Sequence, residues 1–198
     1  MNRRMIINSV GLVLRVEAAL LLLPAAVGML YGEKQTLIAF LISAAISLLL
    51  GLLPKLFLKP KTHVIYAKEG FIIVAFTWIM LSLVGAVPLV LAGAVTSYAD
   101  AFFEIVSGFT TTGSSVIPDV EVLSHGALFW RSFTHWVGGM GIIVFVMAIL
   151  PNVSERPIHI LRAEIPGPTV GKLVPRIKDT ALILYLIYIV MTVIETVM

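Results

Sequence analysis

Long apolar runs constrain this chain more than any other feature. Residues 6–30, 35–53, 70–93 and 126–150 are near-continuous apolar stretches, and a fifth run begins at Thr180 and reaches Met198. A run of about 18 or more such residues, wound as a helix, crosses the roughly 30 Å hydrocarbon core of a bilayer. The second and third runs carry no charge. The first holds Arg15 and Glu17, the fourth Arg131 and His135, and the fifth Glu195. Charged residues are only 13% of the 198, about half the share usual in a soluble domain. These runs predict a polytopic α-helical membrane protein.

The first run does not read as a cleaved signal peptide. Its apolar part is too long, and no small-residue cleavage site follows in "LYGEKQ", Leu30 to Gln35. Cysteine is absent, which excludes disulfides and thiolate metal sites. The net charge of +3 does not call for nucleic acid, because the basic residues lie in short loops between spans, where membrane topology accounts for them.

Lys and Arg in short loops mark the cytoplasmic side. If odd-numbered spans run outward, eleven basic residues fall inside: Arg3, Arg4, Lys55, Lys59, Lys61, Lys68, Arg156, Arg162, Lys172, Arg176 and Lys178. Lys34 alone falls outside, and Arg15 and Arg131 lie within spans or at their ends. That assignment places the N-terminus in the cytoplasm. It also requires the connection 94–125 to begin and end on the outer side, although "YADAFFEIVSGF", Tyr98 to Phe109, is apolar enough to enter the membrane. Entering without crossing means a re-entrant loop, and non-helical backbone at membrane depth is tolerated only where it is buried in protein or lines a water-filled cavity.

Local signals fit such a loop. Ser97 and Asp100 have the spacing of a capping-box helix start, and Gly108 suits the C′ position of a helix stop. The ten residues Tyr98 to Ser107 would then reach about 15 Å, half the hydrocarbon core. A helix dipping in from outside aims the negative end of its dipole at the bilayer centre, which favours a cation there. At that end lies "SGFTTTGSSV", Ser107 to Val116, polar but uncharged. Carbonyls and hydroxyls can replace an alkali ion's hydration shell without binding it too tightly, and Gly113 permits the dihedrals that align carbonyls on one axis. An interfacial amphipathic helix in an outer loop would also account for this composition.

The run "FFEIVSGFTTTGSSVI", followed by "FWRSFTHWVGGMGIIVFVMAILP", resembles the potassium-transporter superfamily of the bacterial Trk and Ktr and plant HKT proteins. In that family four repeats of membrane helix, pore loop and membrane helix surround one potassium pathway, each loop giving one filter glycine. The resemblance implies an all-α membrane protein with two leading transmembrane helices (1–53), one helix–pore loop–helix repeat (70–150) and the start of a second repeat (179–198). Cytoplasmic loops at 54–69 and 151–178 would separate them, and the pore helix and filter would occupy about 98–116. The two additional leading spans are similar to the Trk branch. Thr110, Thr111, Thr112, Gly113 and Ser114 become the potassium filter, with Gly113 its glycine and the carbonyls of Thr111, Thr112 and Gly113 facing the ion.

Potassium would be the transported ion, with no organic cofactor, no further metal and no enzymatic activity. The implied partners are the downstream repeats of the same protein, a second copy in a homodimer, a cytoplasmic nucleotide-binding regulatory subunit and the lipid bilayer. No nucleic acid is implied. The location would be the plasma (inner) membrane of a bacterium. With one filter loop where the family needs four, the chain is expected to be part of a longer protein, or else a truncated product or accessory membrane subunit that does not conduct. An intramembrane serine hydrolase built from Ser114 or Ser115 with His135 is a competing reading, but no third orienting residue is evident.

The remaining charges have competing readings. Glu33, Asp100, Glu104, Asp119 and Glu121 could form a negative outer vestibule, or Glu104 could pair with a neighbouring segment. Arg131 is expected to snorkel to the interface, with an ion pair behind the pore loop as the alternative. His135 is expected to hydrogen-bond to the loop. Arg15 and Glu17, two apart, do not share a helix face and should meet different partners. "GGMG", Gly138 to Gly141, offers a thin surface for close packing.

Overall fold

The computed structural model describes residues 3–57, 67–141 and 177–197, which form helices and no strand. The helices are α1 (Arg3–Leu20), α2 (Leu22–Leu30), α3 (Lys34–Phe57), α4 (Ala67–Leu91), α5 (Tyr98–Phe109), α6 (His125–Met140) and α7 (Ile177–Val197). Among the described residues, three stretches are long and apolar enough to cross a membrane: Arg3–Leu30, Lys34–Phe57 and Glu69–Leu91. The first is interrupted at Leu21. Pro24 has no N–H for the carbonyl of Leu20, and the next bond, from Ala25 N–H to the Leu21 carbonyl, is stretched to 3.4 Å.

α1 and α3 form an antiparallel pair that turns at Gly32, whose φ is +72°. Thr36, Phe40, Ser43, Ser47 and Gly51 form one buried stripe on α3, at the three- and four-residue spacing of a single helix face. Small residues on that stripe let the backbones meet. A Cβ at Gly11 would lie 3.0 Å from the Gly51 carbonyl oxygen. α4 packs on both helices, and Gly85 is its crossing point. A Cβ there would lie 3.2 Å from Ile105, 3.3 Å from a Glu17 carboxylate oxygen and 3.3 Å from Trp130.

The turn between α2 and α3 fixes both ends of the connection from α4 to α6. Gln35 Nε2 donates to the Leu91 carbonyl at the end of α4 (3.2 Å). The carboxylate of Glu33 accepts from the His125 N–H (2.7 Å) and the Gly126 N–H (3.2 Å) at the start of α6. Glu33 thereby satisfies two of the orphan donors of α6 and complements its dipole. The Tyr31 ring stacks on His125 at 3.8 Å, and the Thr36 hydroxyl donates to Ser124 Oγ (2.9 Å). Residues 92–124 therefore leave and return at one end of the bundle.

Several boundaries differ from the sequence expectation. α3 continues to Phe57, α5 runs two residues past Ser107, and α7 begins at Ile177. Regular helix in α6 stops at Met140, where Gly141 takes φ +71°. The rest of the expected fourth span, 142–150, and most of the expected loops at 54–69 and 151–178 lie outside the described residues. α7 packs on α6 through Trp136 Nε1 to Thr192 Oγ1 (3.1 Å) and the Tyr188 hydroxyl to the Trp136 carbonyl (3.0 Å).

Candidate functional site: the loop after the short helix

α5 buries Ala101, Glu104, Ile105 and Gly108, the i, i+3, i+4, i+7 stripe of an amphipathic helix. The face of α6 that receives it carries Ala127, Trp130, Thr134 and Val137, all buried. Trp130 Nε1 donates to the Gly85 carbonyl (2.9 Å) and the Tyr98 hydroxyl to the Leu83 carbonyl (2.6 Å), tying both helices to α4. The helices close up where side chains are missing. A Cβ at Gly108 would strike Thr134 Oγ1, and one at Gly138 would strike the Phe109 backbone. Gly138 lies thirteen residues beyond His125, so the end of α5 sits about 20 Å down α6 from the turn at Glu33.

α5 ends in a Schellman motif rather than at Gly108. The Thr112 N–H bonds to the Ser107 carbonyl and the Thr111 N–H to the Gly108 carbonyl, both at 2.9 Å, the paired pattern that defines that stop. Its left-handed C′ residue is Thr111, with φ +55°. Glycine is the usual occupant, and a β-branched residue there is strained. Strain of this kind persists where the surroundings over-determine it, commonly at functional sites. Gly108 instead serves the packing on Thr134. Ser97 is the N-cap of α5 with extended backbone, but its side chain makes no capping bond.

Beyond the stop, the chain turns back along α5 toward Glu104. Thr110 Oγ1 donates to the Val106 carbonyl (2.8 Å), and Thr111 Oγ1 donates to the Thr110 carbonyl (2.7 Å). The Ser107 hydroxyl takes the Ser114 carbonyl at 2.6 Å. Among the described residues, the carbonyls of Thr111, Thr112 and Gly113 accept no hydrogen bond. Gly113 has φ +77°, and a Cβ there would meet no atom of the described residues beyond its chain neighbours within 4 Å. Residues 110–116 are exposed.

Glu104 holds the returning segment from behind. Oε1 accepts from the Ser115 hydroxyl (2.7 Å) and the Val116 N–H (2.6 Å), while Oε2 meets Arg131 Nε at 2.9 Å. The Glu104 side chain is fully buried and that of Arg131 is 15% exposed. Arg131 therefore does not snorkel: an ion pair with a buried carboxylate is the better solution for a guanidinium beside an apolar helix. His135 Nδ1 lies 2.9 Å from the Arg131 carbonyl, on its own helix and not on the loop. Glu33 and Glu104 are thus engaged within the fold, and of the five acids named for a vestibule only Asp100, Asp119 and Glu121 are exposed. At Glu33 partial burial opposes the charge, but hydrogen bonds from the His125 N–H, its ring and the Gly126 N–H outweigh it. They hold the carboxyl below its ordinary value.

A protein-family model described as TrkH, cation transport protein, matches residues 36–198. The chain belongs to the TrkH family. It is 37% identical over 195 residues to the Trk system potassium uptake protein TrkH of Halomonas elongata, covering 98% of this chain and 40% of that protein. The Escherichia coli protein of the same name is 36% identical over the same shares. The crystal structure of the potassium transporter TrkH from Vibrio parahaemolyticus superposes with a TM-score of 0.77 at 34% identity, covering 98% of this chain and 38% of that one. The chain thus spans about 40% of the length of its TrkH relatives.

TrkH proteins are transporters and not enzymes, so the hydrolase reading falls with the family assignment. Locally too, Ser115 is engaged by Glu104 and His135 by the Arg131 carbonyl. Sequence reasoning left the role of Glu104 open and missed that of Glu33. A usable signal existed for Glu104: an acid inside one apolar helix and an arginine inside the next are expected to find each other.

Proposed function

We propose that this chain supplies one of four filter loops in a Trk-type potassium uptake transporter, with Thr110, Thr111, Thr112, Gly113 and Ser114 as its ion-binding stretch. The observation that carries this reading is the set of hydrogen-bond-free carbonyls at Thr111, Thr112 and Gly113, at the deep end of a loop anchored by Glu104. Each carbonyl presents partial negative charge without a net charge, so a cation is stabilised and can still leave. The C-terminal end of α5 adds its dipole to the same place. The Thr110 and Thr112 hydroxyls, 2.8 Å apart, stiffen the turn or add oxygens.

The finer points rest on the likeness to Trk transporters. The transporter sits in the bacterial inner membrane with its N-terminus in the cytoplasm, pairs as a homodimer, and binds a nucleotide-binding regulatory subunit at its inner surface. The downstream repeats complete the pathway. One loop offers oxygens from one side only, so this segment alone is a non-conducting quarter.

The test is potassium-dependent growth of an uptake-deficient bacterium carrying the complete transporter. Gly113→Asp places a side chain at φ +77° and adds a charge that holds cations too tightly. Growth at low potassium should be lost while the protein remains in the membrane. Full rescue by the aspartate variant removes Gly113 from the filter.

A further inference from the structure

α1, α3 and α4 do not close on one another along their whole length. Between them lies a cavity of about 430 Å³, lined by apolar side chains that include Ile6, Leu50 and Phe76, with Arg3 at one end. Its floor exists because Gly11 has no side chain: α1 approaches Gly51 and Pro54 of α3 there, with a Cβ at Gly11 only 3.1 Å from Pro54 Cγ. Ile7, Leu50 and Phe76, also on the lining, are 45%, 38% and 55% exposed. The cavity therefore opens sideways, where the bilayer would be.

Two dimensions identify the occupant. The lining on α1 extends from Arg3 to Leu14, eleven residues or about 16 Å, half the hydrocarbon core and so the depth of one leaflet. The charge stands at the end only. Arg3 is exposed, and among the described residues no carboxylate lies within ion-pair distance of it. Arg4 and Lys55, both exposed, follow on the terminal turns of α1 and α3. An apolar groove one leaflet deep with a guanidinium at its mouth has the shape and charge of an acyl chain below a phosphate. Guanidinium matches phosphate in a bidentate arrangement.

We propose that this groove binds an anionic phospholipid of the inner leaflet, one acyl chain lying between α1, α3 and α4 and its phosphate on Arg3. The leaflet assignment rests on the cytoplasmic N-terminus proposed above. The lipid would fill a gap beside α4, the helix that also carries Gly85 and hence the contact with α5 and α6.

The complete transporter, purified in detergent and offered phosphatidylglycerol or phosphatidylcholine, is examined by native mass spectrometry for retained lipid. Phosphatidylglycerol should be retained about fivefold better, the preference that one basic residue contributes at a membrane surface. Arg3→Gln should abolish the preference while lipid is still bound. Ile7→Trp, at an exposed rim position, should fill the groove and reduce retention of both lipids. Equal retention of the two lipids by the unaltered protein, or phosphatidylglycerol binding unchanged in both variants, overturns the site. So does a density map with a protein segment in the groove. Orientation is read separately: labelling of Arg4→Cys by an impermeant reagent from outside overturns the inner-leaflet assignment but not Arg3-dependent retention in micelles.

Discussion

Removing the Glu104 carboxylate should damage the transporter more than any other single change behind the loop. Glu104→Ala leaves the Arg131 guanidinium, 15% exposed, without its counter-charge. It also takes the acceptor from the Val116 N–H and the Ser115 hydroxyl. Deleting one member of a buried pair costs about 3–5 kcal/mol, because the other is left desolvated and unpaired. The Val116 N–H adds little, since Val116 is 43% exposed and water can replace the lost bond. Glu104→Gln should cost somewhat less, because an amide oxygen can still accept from Val116, but it loses both the charge and the acceptor that Arg131 Nε meets. Changing both residues to methionine should recover much of the stability, because an apolar pair of similar volume avoids the desolvation cost. It should not recover uptake, because nothing then ties residues 115–116 to α5. The assay is the thermal unfolding midpoint of the purified transporter in detergent, beside potassium-dependent growth. Glu104→Ala within about 0.5 kcal/mol of the unaltered protein, the range of an ordinary surface substitution, together with full uptake, would refute the anchoring role.

The same geometry makes other substitutions informative. Gly138→Ala drives a methyl into the Phe109 backbone and should cost about 1–3 kcal/mol as overpacking, with loss of uptake; unchanged uptake would mean that the loop does not depend on this contact. Gly108→Ala should be partly rescued by Thr134→Ala, which removes the hydroxyl it strikes, and additive effects in that double-mutant cycle would contradict the packing. Glu33→Gln should weaken the seat of α6 by about 1 kcal/mol, as for loss of a helix cap. The folded Glu33 carboxyl lies below its ordinary value of 4.5, so its contribution is full above that pH and is lost as pH falls through the lowered folded value. The stability gap between the unaltered protein and Glu33→Gln should therefore close in acid, and a gap that widens there would contradict the sign. Cysteines at Thr96 and Ser124 should both react with an impermeant reagent from outside, and cysteines at Lys61 or Lys172 should not. Opposite accessibility of Thr96 and Ser124 would mean that the loop crosses the membrane. The isolated segment in liposomes should show no potassium flux above empty vesicles, and selective flux would favour a homotetrameric channel.

The parts legible in the sequence are those whose physics is local. Apolar run length gave α1 through α4, because a bilayer demands that length whatever the packing. The spacing of Ser97 and Asp100 placed the start of α5, although the Ser97 side chain makes no capping bond. The "GGMG" run promised close contact, and Gly138 and Gly139 do meet the Phe109 backbone and the Tyr188 hydroxyl. The misreadings concern long-range or exceptional chemistry. Gly108 looked like a helix stop because glycine is the cheap left-handed residue, whereas Thr111 takes that conformation at a cost in strain. Arg131 looked like a snorkelling residue because its partner, Glu104, is 27 positions away on another helix. Gly85, an isolated glycine midway along α4, gave no hint that Glu17, Ile105 and Trp130 converge on it.

Binding of the transported ion by the carbonyls of Thr111, Thr112 and Gly113 is the central claim, and heavy-ion crystallography tests it most directly. The complete transporter would be crystallised with rubidium in place of potassium and anomalous data collected at the rubidium edge. The expected result is an anomalous peak within ligand distance of those three carbonyls, lost in the Gly113→Asp protein or shifted onto its new carboxylate. A rubidium peak held by other residues, with the Thr111–Gly113 carbonyls turned away from it, would contradict the assignment.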